Sequence, residues 1–135
     1  LCYDEGQGKR SKFGIVEFLA GVYDPVSEKY FTVATVGTGL TDIEWKEMKL
    51  KCQMSNIKSK PENYNIQNQM KCDYWVEPKI VVELLADEIT KSPMHTSGYA
   101  LRFPRLVSWR EKLPTDVTST KELEKMFKLQ KTGGD

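Results

Sequence analysis

The amino-acid sequence predicts a mainly β fold: a small antiparallel barrel with a short helix between strands and a second helix at the C-terminus. Three observations predict it. At least four short segments rich in β-branched and aromatic residues alternate with turn signals along the 135 residues. A capped helical stripe stands among them. A second capped segment, apolar on one side and lysine-rich on the other, closes the chain. With 39% apolar residues there is room for one domain with one core.

Each element follows from its residues. Residues 6–12 (Gly-Gln-Gly-Lys-Arg-Ser-Lys) are a basic entry. Residues 13–23 read as a strand in which Gly14 and Gly21 invite a bend or bulge. Asp24-Pro25-Val26-Ser27 is a turn, since the aspartate can bond its own backbone and the proline presets φ. Residues 29–36 return as a second strand, and the two pair as a hairpin. Gly37-Thr38-Gly39 then breaks the strand, for a tight turn or a close backbone approach.

Thr41-Asp42-Ile43-Glu44 has the spacing of a capping box, so a helix is expected to about residue 52, with Trp45, Met48 and Cys52 as its packing stripe. Residues 54–70, rich in asparagine and without a period, read as a loop. Residues 79–89 read as one strand. Residues 99–109 read as another, interrupted by Pro104, which cannot donate to a ladder and implies an edge or bulge. Thr118 or Ser119, with Glu122, caps a final helix whose apolar side carries Leu123, Met126 and Phe127. The oligonucleotide-binding (OB) barrel is the leading candidate for this order of elements; an SH3-like barrel and a small α+β domain fit the composition as well.

Several function classes lose support. No apolar run approaches a membrane span, and the longest, near residues 80–86, is interrupted by Glu83. The N-terminus has neither a basic region nor an initiating Met, so no secretory signal is expected; the start at Leu1 suggests a piece of a longer chain. Cys2, Cys52 and Cys72 make no even framework, which points to a reducing, intracellular setting. With His95 they lack the paired short spacings of a zinc site, so no metal ligand is assigned. Asp87 and Glu88 are adjacent and give little support to paired-carboxylate hydrolysis.

Charge is informative through its distribution. The net charge is only +1, yet residues 99–131 carry eight basic side chains against four acidic ones. A near-neutral protein with such a basic end can present a phosphate-seeking face. Its densest part is residues 101–112, where Arg102, Arg105, Arg110 and Lys112 stand with Phe103 and Trp109. The planar guanidinium fork suits phosphate oxygens. From the residue type alone, Phe103 reads as an ordinary core aromatic.

Arg102-Phe103-Pro104-Arg105 followed by Arg110-Glu111-Lys112 resembles the last motif of ATP-dependent DNA ligases. Upstream pieces agree in order: Gly6-Gln7-Gly8-Lys9-Arg10, Gly21-Val22-Tyr23-Asp24, Val36-Gly37-Thr38-Gly39-Leu40, Trp75-Val76-Glu77-Pro78 with Val82-Glu83-Leu84, then Asp87 to Pro93 and Gly98-Tyr99-Ala100-Leu101. Together they cover nearly the whole chain, which resembles the C-terminal OB-fold domain of such a ligase.

The resemblance implies a division into a basic linker over residues 1–12, leading from a nucleotidyltransferase domain, an OB-fold domain over 13–131 and a flexible tail over 132–135. It implies ATP and Mg²⁺ in the full enzyme, with nicked duplex DNA and the nucleotidyltransferase domain as partners, a monomeric state, and a cytoplasmic, nucleoid or nuclear location. A lysine in a Lys-x-Asp-Gly motif, absent from this sequence, would take AMP from ATP and pass it to the 5′-phosphate at a nick. Arg110, Glu111 and Lys112 would then act catalytically by orienting pyrophosphate, with Arg105, Arg110 and Lys112 binding the cofactor. Lys9, Arg10, Lys12, Thr38, Arg102 and Phe103 would bind DNA, the Arg102–Phe103 pair at the minor groove. The chain departs from the usual Arg-x-Asp-Lys ending by carrying the shorter Arg110-Glu111-Lys112. A stand-alone OB-fold nucleic-acid-binding module without a catalytic role is the alternative, and an RNA-ligase or capping-enzyme barrel shares the nucleotidyl-transfer logic.

Overall fold

The computed structural model describes residues 1–4, 17–68, 70 and 72–133. Its spine is the predicted hairpin, β2 (Glu17–Asp24) against β3 (Lys29–Val36). The turn closes because the Asp24 carboxylate accepts from the backbone of Val26 and Ser27 and from the Ser27 hydroxyl at 2.6 Å. That hydroxyl is the main reason the Asp24 pKa lies below its usual value. The strand bends at a bulge between Ala20 and Gly21, where a Cβ on Gly21 would lie 2.9 Å from the Phe31 carbonyl oxygen.

Around this hairpin a six-stranded sheet curls into a half-barrel, mainly antiparallel. Its members run β4 (Asn56–Ile57), β6 (Tyr74–Val76), β1 (Cys2–Asp4), β2, β3 and β5 (Tyr64–Asn65). Two antiparallel pairs complete the wall. β7 (Val81–Leu85) pairs with β10 (Arg105–Arg110), and β8 (Glu88–Lys91) pairs with β9 (Tyr99–Arg102). The mainly β, OB-fold-like architecture agrees with the sequence expectation.

Helix α1 (Asp42–Met54) begins with the anticipated box: the Thr41 hydroxyl accepts from the Glu44 N–H, and the Glu44 carboxylate from the Thr41 N–H. Its stripe of Trp45, Met48 and Cys52 is buried against Phe18, Val33 and Val36. Helix α2 (Thr120–Gly133) is capped by Ser119 and Glu122, again reciprocally. It inserts Leu123, 1% exposed, into the same core. The Gln130 amide docks this helix on β8 by bonding both the N–H and the C=O of Ile89.

Four expectations change. Residues 79–89 form two strands, because their partner strand is itself broken at Phe103-Pro104, and the ladder cannot run on opposite that break. Residues 54–70 contain β4 and β5 and bury Tyr64 and Ile66 in a second cluster, where the Tyr64 hydroxyl donates to the Val76 carbonyl at 2.5 Å. Residues 2–4, inside the stretch read as a linker, pair with β2 on one side and β6 on the other. Finally, Cys2 and Cys72 are joined by a disulfide, which removes the cysteine argument for a reducing setting; Cys52 is free and buried, and burial pushes its thiol up to about 11. Among the described residues no helix is long and apolar enough to cross a membrane.

Candidate nucleic-acid interface

The break between β9 and β10 builds the most distinctive surface of the molecule. Pro104 ends the ladder, and Phe103 before it takes a left-handed backbone conformation, φ 53°. A bulky residue held there costs on the order of 1–3 kcal/mol, so neighbouring groups must enforce it. The Arg105 guanidinium does so from one side, donating through Nη1 to the Phe103 carbonyl at 2.9 Å. Gly39 does so from below: its carbonyl accepts from the Leu106 N–H at 3.0 Å.

Gly39 itself has φ +88°, and a Cβ there would stand 2.6 Å from the Pro104 carbonyl oxygen and 2.7 Å from the Arg105 Cα. The close approach that Gly37-Thr38-Gly39 allows is therefore to this chain's own Pro104–Arg105 backbone. Thr38 is exposed beside that contact.

Held this way, Phe103 is 64% exposed, which corrects the core reading drawn from its residue type. The Arg102 guanidinium lies 5.5 Å from its ring centroid, a cation–π contact that limits where the ring can swing. At the far end of β10, on the order of 17 Å away for a six-residue strand, Arg110 is followed by the exposed Glu111 and Lys112. The structure thus separates the candidate site residues into two groups. Arg102, Phe103 and Arg105 gather at one end of β10 with Thr38, and Arg110, Glu111 and Lys112 at the other. Lys9, Arg10 and Lys12 lie outside the described residues.

Sequence reasoning missed the partners of these arginines. Arg102 donates to Glu88 at 3.1 Å, Arg105 to Asp87 at 2.9 Å, and Arg110 to Glu83 at 3.1 Å. Each carboxylate comes from β7, β8 or the bend between them. The signal that could have found them is alternation: once the 81–91 segment is laid antiparallel to 99–110, Glu88 falls opposite Arg102. Lys112 has no carboxylate within ion-pair distance among the described residues. Lys51 of α1, also missed, sits 5.0 Å over the Trp109 ring beside Arg110.

His95 belongs to the interior. It is buried, its Nδ1 is 3.0 Å from the Thr32 hydroxyl, and burial pushes its pKa down. Among the described residues no group of three His, Cys, Asp or Glu side chains is placed to hold a metal ion.

Comparison with known proteins gives the family. The family described as "ATP dependent DNA ligase C terminal region" matches residues 10–113. A probable DNA ligase from Dictyoglomus turgidum is 44% identical over 97% of this chain and 24% of its own length. A DNA ligase from Hyperthermus butylicus is 41% identical over 93% of this chain and 22% of its own length. One from Saccharolobus solfataricus is 34% identical with the same two coverages. The chain therefore spans about a quarter of the length of these relatives.

Proposed function

The chain belongs to the family of C-terminal regions of ATP-dependent DNA ligases, and from that premise we propose that it is the DNA-gripping and pyrophosphate-orienting domain of a nick-sealing enzyme. The observation that carries this reading is Phe103, a largely exposed aromatic in strained backbone, flanked by Arg102 and Arg105 and braced by Gly39. A large apolar ring held in water at a conformational cost suits insertion beside a base step of the minor groove. There it widens the groove and helps align the ends of a nick. Arg102 and Thr38 supply the flanking phosphate contacts, which position the duplex without reading its sequence, and Lys9, Arg10 and Lys12 add to them by their charge.

The other end of β10 serves the reaction with ATP. The residues there suit a polyphosphate: Arg110 keeps donors beyond the one used by Glu83, and the Lys112 ammonium stands exposed. ATP supplies the adenylyl group and the pyrophosphate leaving group. Arg110 and Lys112 hold that pyrophosphate in line and offset the charge gathering on it. Arg105, expected to bind the cofactor, stands instead at the opposite end of β10 with the DNA group, and Glu111 forms no ion pair with Arg110 or Lys112, so neither is given a part at the pyrophosphate. The nucleophilic lysine belongs to the nucleotidyltransferase domain, since this sequence has no Lys-x-Asp-Gly motif. The Mg²⁺ that accompanies ATP has no ligand assigned in this chain.

Titration of a nicked duplex with the chain at several salt concentrations tests the reading. Weak binding that falls steeply with salt is expected, because phosphate contacts release condensed counterions. Replacing Arg102 and Phe103 by alanine should weaken it further. A strong preference for single strands, or binding insensitive to salt, would favour the stand-alone nucleic-acid-binding module instead.

A further inference from the structure

Resting on the assignment of Arg102, Arg105 and Arg110 to phosphate, we propose that Glu88, Asp87 and Glu83 are built-in competitors for that phosphate and set how selectively this face accepts a polyanion. In sequence the arginines look like a concentrated positive charge. In the fold each one meets a carboxylate across the strand pairs, at 3.1, 2.9 and 3.1 Å, so the three pairs are formally neutral together.

The geometry suits exchange. Each ion pair uses a single Nη1, whereas a guanidinium carries five N–H donors, so phosphate can engage an arginine while its carboxylate still stands beside it. The side chains of all six residues are 44–56% exposed, and ion pairs in such positions are held by little net free energy. A phosphate arriving at the guanidinium meets the repulsion of an anion a few ångströms away, and that repulsion is what the carboxylate contributes.

The consequence is selectivity. A duplex that merely brushes the face gains little from neutral pairs. A substrate that is also held elsewhere, by Phe103 at a nick or through the rest of the enzyme, keeps its phosphates in place long enough to displace the carboxylates. Glu88 and Asp87 are on this account specificity-determining residues that touch the phosphate-binding arginines and suppress binding to uninterrupted DNA, while Glu83 competes in the same way for polyphosphate at Arg110.

Glu88→Gln keeps the side chain's shape and an acceptor oxygen while removing its charge. With the 135-residue chain and fluorescein-labelled duplexes in low salt, anisotropy titration should show it binding uninterrupted duplex roughly three- to tenfold more tightly, with the preference for a 5′-phosphorylated nick reduced. The gain should vanish when Arg102 is already alanine and shrink as salt is added. Asp87→Asn, tested with and without Arg105→Ala, repeats the cycle at a second pair, and thermal melting of each variant confirms that it is folded.

Two failures are distinguishable. If Arg102→Ala weakens binding but folded Glu88→Gln and Asp87→Asn bind equally or more weakly, the carboxylates position the arginines rather than compete, and this inference is overturned while the assignment of the arginines stands. If Arg102→Ala and Arg105→Ala leave binding unchanged, that assignment falls and takes the inference with it.

Discussion

Two residues show how local chemistry constrains this domain. Gly39 is held at φ +88° with the Pro104 carbonyl and Arg105 Cα inside the space a Cβ would need. Gly39→Ala should therefore cost roughly 2–4 kcal/mol, the sum of a strained left-handed alanine and a contact with backbone that cannot swing aside. A fall in the denaturant midpoint, with weakened duplex binding as the Phe103 bend relaxes, is the expected outcome; an unchanged midpoint would show that the loop can yield. His95 gives a pH dependence. Burial pushes its pKa below the usual value, so the folded state favours the neutral ring and the unfolded state takes up the proton first. The stability it contributes is present above the unfolded pKa, about 6.5, and is lost as pH falls below it. The Tm of the wild-type chain should drop more between pH 7 and 5 than that of His95→Gln, which keeps a polar partner for Thr32 without titrating.

Among the elements, those legible in the sequence are the ones specified by neighbours along the chain. β3 matches the expected residues 29–36, because its turn is closed by Asp24 within a few positions. Both helices start where a hydroxyl and a glutamate at capping-box spacing place them. What escaped is what distant pairing decides. β1 and β6, three residues each, carry no period of their own and exist because they lie against each other, and that pairing brings Cys72 to Cys2 from 70 positions away. The candidate site divides in the same way. Arg102, Phe103, Arg105 and Arg110 are contiguous enough to see, whereas Glu83, Asp87 and Glu88 join them only across strands. Helix α2 depends on Leu123, buried in the main core, and on a Gln130 bracket. Leu123→Ala should cost about 2–5 kcal/mol in chemical denaturation. A loss below 1 kcal/mol would mean that the helix is an appendage and not part of the barrel's closure.

For the whole molecule, the separation of two groups by the length of β10 makes a prediction about an intact ligase carrying this domain. An interaction formed in the transition state of one step lowers the barrier of that step alone. Arg102→Ala with Phe103→Ala should therefore slow sealing by enzyme already adenylated, since the proposed function assigns both to the duplex. Arg110→Ala or Lys112→Ala should slow adenylation, since the proposed function assigns both to pyrophosphate. Each loss is on the order of 10²-fold, the scale of one charge-assisted phosphate contact. The two arginine sites start from similar states, each paired to one carboxylate at 3.1 Å, so a difference between them reflects the step served and not a difference in how firmly each is held. Lys112 stands apart: it has no carboxylate partner among the described residues, and its ammonium is available to pyrophosphate without exchange. Of the distal pair, Lys112→Ala should thus give the larger adenylation defect. Single-turnover adenylation measured beside single-turnover sealing by pre-adenylated enzyme decides the matter. If both sets of variants, shown to be folded, slow both steps equally, β10 is a shared structural support and the division of labour along it is wrong.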